Sequence, residues 1–326
     1  MTVVTRLPTQ GKRHFRILAL DGGGVRAVMS LVILERLEQQ LGVPLHEWFD
    51  LIAGVSVGSI VACGIGQGRT AKEAAEVFET EIVEPFRRTT GIGCLPQYWR
   101  FIRGQGKYSG ANLSASLQRI LGDMIYGDLH PTILCVGYDL VKRDLIAFRS
   151  DNERHQPLYA WEVATASASA PVLFPHHVMR YSDHAEAHLA DGGLVTNNPA
   201  LIALTSSRVE IGQVLMVSVG TGAVRERRRN IRTLAGHADN LLDAMFYGGT
   251  NATHRMIHDL LGNRLVRLQP PIESELIPLD RTQNIHHLRA VATEYLRRDG
   301  DRLIDRFVER FAGDARQEEL PEVKAL

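Results

Sequence analysis

The sequence predicts an α/β protein in which a mostly parallel sheet is covered by helices on both faces. Three observations predict it. Apolar runs of strand length alternate with stretches of helical periodicity along nearly the whole chain, as βαβ connections require. Two of those runs end in glycine-rich turns, Asp21-Gly22-Gly23-Gly24 and Gly54-Val55-Ser56-Val57-Gly58, and each turn opens a helix. The functional candidates sit at these turns, where the C-terminal strand edge of such a sheet places its site.

The first strand is predicted over 15–20, Phe-Arg-Ile-Leu-Ala-Leu. The helix after it, over 27–41, carries Val28, Leu31, Val32, Ile33, Leu34, Leu37 and Leu41 at helical spacing. The second strand, 51–55, runs into Ser56 and a helix over 57–66. Further strands are expected over 131–138, 143–149, 188–190, 213–219 and 264–269. Further helices are expected over 70–83, 110–121, 160–169, 197–208, 237–261 and 286–312, the last broken around Gly300. No linker or repeat interrupts them, so a single domain is expected over 1–326, with a core over about 15–300 and frayed ends.

Composition excludes several classes. Lys plus Arg and Asp plus Glu balance at 37 each, so no overall field invites a nucleic acid polymer. Cys63, Cys94 and Cys135 have no metal-like spacing and read as reduced thiols. No His/Asp/Glu cluster stands at ligand spacing, so neither a metal nor a cofactor is expected. The N-terminus lacks the apolar core of a signal peptide, and a cytoplasmic protein is the expectation. Residues 51–68 hold no charge, the length at which a membrane span is suspected. The strand, turn and helix already account for that run.

Ser56 reads as a nucleophile. In Gly-x-Ser-x-Gly after a strand, the chain reverses through a strained turn and exposes the serine hydroxyl at the strand end. The flanking glycines avoid Cβ collisions with the neighbouring strand and helix. Taken alone, the pentapeptide fits a tight βα turn equally well. The loop Gly22-Gly23-Gly24 leaves backbone N–H groups unpaired at a helix N-terminus, which holds an anion. For a serine hydrolase that anion is the tetrahedral oxyanion. Asp191, in Asp191-Gly192-Gly193, would by itself be an ordinary turn.

Together, the glycine loop, Gly-x-Ser-x-Gly and the distant Asp-Gly-Gly resemble the patatin-like phospholipases. The stretch Ala164-Thr165-Ala166-Ser167-Ala168-Ser169-Ala170-Pro171 and the segments Val217–Gly222 and Leu265–Pro270 extend the resemblance over about 15–300. It implies a three-layer patatin-like fold and a Ser56–Asp191 dyad that cleaves fatty-acyl esters of membrane phospholipids. Backbone N–H groups among Gly22, Gly23, Gly24 and Val57 would form the oxyanion hole. An aspartate at its ordinary pKa of about 3.9 is a poor base for a serine, which throws weight onto the helix dipole and the oxyanion donors. Some bacterial members of the family are antiphage effectors switched on by cyclic oligonucleotides. A cyclic nucleotide activator is therefore a candidate partner, alongside membrane phospholipid met peripherally at the inner face and a homo-oligomer.

Other functions fit some of the same residues. Gly22–Ala27 also fits the dinucleotide fingerprint, but the second strand ends in Ser56 rather than the acidic residue that binds ribose. A Ser-His-Asp esterase or thioesterase would need a histidine after Asp191. His237, His254, His258, His286 and His287 are available, yet none lies in a short glycine-bounded loop. A lipid- or nucleotide-sensing protein with incidental hydrolysis is a third class. Arg26 reads as loop-orienting, as a contact to lipid phosphate, or as a surface residue. Arg225, Arg227, Arg228, Arg229 and Arg232 form a candidate regulatory anion site or a solvated loop. The basic and aromatic segment Pro85–Tyr108, with Trp99 and Phe101, suits a membrane interface or a cap packed by its own rings.

Overall fold

The computed structural model describes residues 14–81, 84–86, 106–224, 249–273 and 278–316. In chain order the elements are β1 (Phe15–Leu20), α1 (Ala27–Leu41), α2 (Leu45–Trp48), β2 (Leu51–Val55), α3 (Val57–Gly66), α4 (Ala71–Glu81) and α5 (Gly110–Leu121). There follow β3 (Thr132–Asp139), β4 (Asp144–Arg149), α6 (Ala160–Ala168), β5 (His177–Arg180), β6 (Glu186–Asp191) and α7 (Ala200–Ser206). The last group is β7 (Val214–Val219), β8 (Ala223–Val224), α8 (249–261), β9 (Leu265–Leu268), β10 (Pro271–Ile272), α9 (Ile285–Tyr295) and α10 (Asp301–Arg316).

Among the described residues one sheet runs in the order β5-β6-β3-β2-β1-β7-β9, with β4 on a further edge of β3. The half from β3 to β9 is parallel. Beyond it, β4 and β6 both run antiparallel to β3, and β5 antiparallel to β6. β1 lies between β2 and β7 with both faces covered, which is why Ile17, Leu18, Ala19 and Leu20 are all buried. Leu18 and Leu20 join the larger core with α1, α3 and α9, whereas Ile17 and Ala19 join a smaller one with Ala203 of α7 and Ile257 of α8. Helices therefore cover the sheet on both faces, as the sequence predicts.

β3 brings the two halves of the site together. Its residues Thr132–Val136 pair with β2, and one position further on Gly137 pairs with Asp191 at the end of β6. The other edge of β3 is taken by β4 from Leu134 to Asp139, so β6 uses the edge that β2 vacates after Val55. Two strands running toward each other thus end beside one another, one at Ser56 and the other at Asp191.

Three expectations need adjustment. α7 starts at Ala200 rather than 197, because Asn198 turns its side-chain Oδ1 back to accept from Ala200 N at 3.0 Å and Asn197 is drawn into the glycine loop. The helix expected to break at Gly300 passes through a π turn over Leu296–Gly300, where Gly300 packs against Tyr295 and Leu296. β5 is additional; it is four residues long with a mixed burial pattern, too short to stand out by periodicity. Cys63 and Cys135 are buried and unbridged, with sulfurs 3.8 Å apart. Among the described residues no helix is long and apolar enough to cross a membrane; the uncharged run 51–68 is β2, the turn and α3. The segments 87–105 and 225–248, which hold Trp99, Phe101, Arg225, Arg227, Arg228, Arg229, Arg232, Cys94 and His237, lie outside the described residues.

Candidate active site

Ser56 sits between β2 and α3 with φ 55° and ψ −129°. A non-glycine residue there stores about 1–3 kcal/mol of strain, and close packing enforces it. A Cβ on Gly54 would lie 2.3 Å from Gly58 O, and one on Gly58 2.4 Å from Leu20 O at the end of β1. The turn is also pinned from the side. Ser56 N donates to Ser167 Oγ at 3.0 Å, and Ser167 Oγ donates in turn to Val136 O at 2.5 Å. Because that spends the Ser167 proton, Ser59 Oγ, 2.7 Å away, is the donor of their shared bond. The small residues of α6 let it approach closely enough for this. Ser167 escaped the sequence reading, although a helix of alternating Ala, Ser and Thr is its signal.

Asp191 is fully buried. Its N–H donates to Ser169 O at 3.0 Å, and its Oδ1 accepts from Gly193 N at 2.7 Å. Oδ2 has no partner at hydrogen-bond distance, while the Ser56 hydroxyl is near enough to act on the carboxyl. Burial pushes the pKa up to about 7, against the opposing pull of Ser56 and of the Gly193 N–H. The ordinary aspartate pKa assumed from sequence is therefore corrected: this carboxylate is poised near neutrality, where a general base is most useful.

The glycine loop begins at Asp21, whose N–H reaches Val219 O at 3.0 Å and whose buried carboxylate is gripped by both Nη atoms of Arg267 from β9. Gly22 N donates to Asn197 O at 3.1 Å. Gly22 thus departs from the expectation of an oxyanion donor, since its N–H is already spent on the loop's own frame. No acceptor is present for the N–H groups of Gly23, Gly24 and Val57 among the described residues. Arg26 is fully buried and donates Nε–H to Gly23 O at 3.2 Å. Its side chain is inside the protein rather than on the surface, and this bond lies within the glycine loop itself.

Gly24, Ser56 and Val57 line one cavity with Ile60, Phe86, Leu113, Leu173, Phe174 and Leu279, and its volume is about 30 Å³. Every side chain added to the three site residues is apolar. Phe86 and Tyr108, at the two ends of the segment expected at a membrane interface, instead pack on each other at 5.3 Å and on Phe174 at 5.8 Å each. Of the described histidines considered for a triad, His258 is exposed beside Asp259, His286 and His287 are exposed on α9, and His254 is half-buried near Arg267. No metal-holding cluster occurs among the described residues.

A strained serine beside a buried, raised-pKa carboxylate, under a loop of unpaired N–H groups, is the arrangement of a serine hydrolase on an α/β sheet. Comparison with known proteins gives the family. The profile of the patatin-like phospholipases matches residues 18–204, and the chain belongs to that family. It is 28% identical over 249 residues to Patatin-like protein 1 of Arabidopsis thaliana, with 65% of this chain and 60% of that one covered. It is 28% identical over 210 residues to a cGAMP-activated phospholipase of Escherichia coli (strain TW11681), with 59% and 56% covered. It is 27% identical over 297 residues to a cGAMP-activated phospholipase of Pseudomonas aeruginosa (strain BWHPSA011 / Pa011), with 85% and 84% covered. The chain thus spans only a little over half the length of the first two relatives.

Proposed function

We propose that this protein is a lipid acyl hydrolase that cleaves fatty-acyl esters of membrane phospholipids within a single domain. The observation that carries the proposal is that Ser56, which lines an apolar cavity, lies near enough to the buried Asp191 carboxyl to act on its proton. Ser56 Oγ attacks the ester carbonyl carbon while its proton passes to Asp191 Oδ2. The carbonyl oxygen becomes an oxyanion held by the N–H groups of Gly23, Gly24 and Val57. The intermediate collapses, the C–O bond to the lyso-lipid alcohol breaks, and Asp191 returns the proton to that alcohol. Water then attacks the acyl-serine, again losing its proton to Asp191, and the fatty acid leaves as Ser56 recovers its hydrogen. Ile60, Leu113, Leu173 and Phe174 supply the apolar wall that an acyl chain needs. The test is phospholipid hydrolysis by wild type and Ser56→Ala, with a fluorophosphonate probe reporting the nucleophile; a wild-type protein that neither labels nor hydrolyses would overturn the reading.

A second reading concerns control. Two relatives are named for activation by cGAMP, and the cavity over Ser56 is far too small for an acyl chain. Both support a peripheral membrane enzyme that is opened by a cyclic dinucleotide, as in antiphage defence. Adding cGAMP should raise phospholipid hydrolysis at least about tenfold, equivalent to about 1.4 kcal/mol of coupling. Full activity without nucleotide, unchanged by cGAMP, would leave a constitutive hydrolase.

A further inference from the structure

The peptide between Gly22 and Gly23 poses a mechanical problem. Its N–H, on Gly23, is one of the oxyanion donors just assigned, yet it lies between two residues without side chains. Such a peptide rotates as a plate at little steric cost, because glycine tolerates both signs of φ. Turning it over would aim the Gly22 carbonyl at the site in place of the Gly23 N–H, and a carbonyl oxygen repels an oxyanion. Something must hold the plate.

The structure shows what does. The only cis peptide among the described residues precedes Pro131, so the Gly22–Gly23 peptide is trans. Its C=O and N–H therefore point in opposite directions in one plane, and fixing the oxygen fixes the direction of the N–H. Gly22 O accepts from Thr221 Oγ1 at 2.6 Å and from Asn197 Nδ2 at 3.2 Å, both in the buried interior. Thr221 makes the shorter bond and also presses on the next residue, since a Cβ on Gly23 would lie 2.2 Å from Thr221 Oγ1. Thr221 is itself anchored. The residue before it, Gly220, donates N–H to Leu268 O at 2.9 Å and accepts from Ser30 Oγ at 3.1 Å, which ties the turn after β7 to β9 and to α1.

We propose that Thr221 is a positioning residue of the oxyanion hole: its hydroxyl holds the Gly22 carbonyl and so aims the Gly23 N–H at the reacting oxygen. The proposal rests on the serine-hydrolase reading above. Thr221 lies outside the segment matched to the family, in the turn between β7 and β8.

The experiment compares wild type, Thr221→Val and Thr221→Ser on a soluble short-chain p-nitrophenyl ester and on its thionoester analogue. Removing an oxyanion donor outright costs roughly 10²–10³ in rate. Here the donor stays and Asn197 still holds one side, so Thr221→Val should lower kcat about tenfold with KM within about twofold. The preference for the oxygen ester over the thionoester should shrink in parallel, because a developing thiolate gains little from an N–H. Thr221→Ser, which keeps the hydroxyl, should stay within about twofold of wild type. Should Thr221→Val fail to fold, Thr221→Ala removes the same hydroxyl without adding bulk and should show the same loss. An unchanged kcat in Thr221→Val, equal losses in the Val and Ser variants, or a kcat loss with no change in the oxygen-to-sulfur preference would each overturn the assignment. A wild type that does not hydrolyse the ester or label at Ser56 would overturn the hydrolase reading and this assignment together, whereas an active wild type matched by Thr221→Val would overturn only this one.

Discussion

Beneath the Ser56 cavity, the residues of the site are framed by hydrogen bonds, most of them buried. Ser56 N is held by Ser167, Asp191 by Ser169 and Gly193, and the glycine loop by Asn197, Thr221, Arg26 and Arg267. The cover above it is made differently. Phe86, Tyr108 and Phe174 pack ring against ring and Leu279 closes the side, with Val25 N donating to Leu279 O at 2.9 Å and Tyr108 N to Leu173 O at 2.7 Å; a side-chain tie comes from Asp280, which pairs with Lys107 and accepts from Tyr108 Oη at 2.8 Å. Lys107 is 36% exposed, so water competes for that tie. Buried networks lock one geometry, whereas apolar contacts and half-exposed ion pairs open at low free-energy cost. The reacting groups thus rest on the side richer in buried side-chain hydrogen bonds, and the entrance on the more apolar one.

Variants on the two sides should separate accordingly. The largest effect belongs to Ser56→Ala, which should lower ester hydrolysis by at least about 10³ in a protein that still folds; a smaller loss, measured with both short-chain ester and phospholipid, would move the nucleophile elsewhere. Asp191→Asn should cost nearly as much activity while raising stability at alkaline pH. Burial lifts the folded-state pKa of Asp191 to about 7 from an unfolded value of about 3.9, so the folded state holds the proton more tightly. Its contribution is full below pH about 4 and is lost as pH rises through about 7, by an amount of order 4 kcal/mol. The asparagine carries no such loss. Denaturant melts of the two proteins should therefore nearly coincide at pH 4 and diverge in favour of Asp191→Asn at pH 8; equal melts at pH 8 would contradict a raised pKa.

On the proposed mechanism the same proton governs rate. Asp191 must be ionised to accept from Ser56, so kcat/KM on a soluble ester should climb about tenfold per pH unit below about 7 and level off above it. A profile already flat at pH 5 would point to an aspartate of ordinary acidity. The smallest effect should come from the cover. A half-exposed ion pair is worth at most about 1 kcal/mol, so Asp280→Ala should raise long-chain phospholipid hydrolysis by no more than about fivefold and leave the short-chain ester unchanged. An equal change on both substrates would place Asp280 in the rigid floor instead.

Much of this was legible in the sequence. Buried parallel strands announce themselves as apolar runs, and Gly54 and Gly58 mark a turn that only glycines fit, so the sheet's parallel half and the turn at Ser56 could be read locally, whereas Asp191, by itself an ordinary turn, stood out only through the family resemblance. What holds those residues could not. Arg267 reaches Asp21 from β9, Thr221 reaches Gly22 from the turn after β7, and Ser167 reaches Ser56 from α6; each contact spans more than 100 residues and leaves no periodic trace. The pKa of Asp191 was misjudged for the same reason, because burial is a property of the assembled sheet.

The place of β1 in the sheet has a consequence for synthesis. It is made before its neighbour β7, which begins at Val214, about 200 residues later. Until then one edge of β1 has no partner strand, and the glycine loop at its end lacks Thr221. A nascent chain thus carries its nucleophile long before the groups that arm it. If the proposed hydrolase reading holds, a chain that stops before β7 carries Ser56 without the loop geometry that the reaction needs.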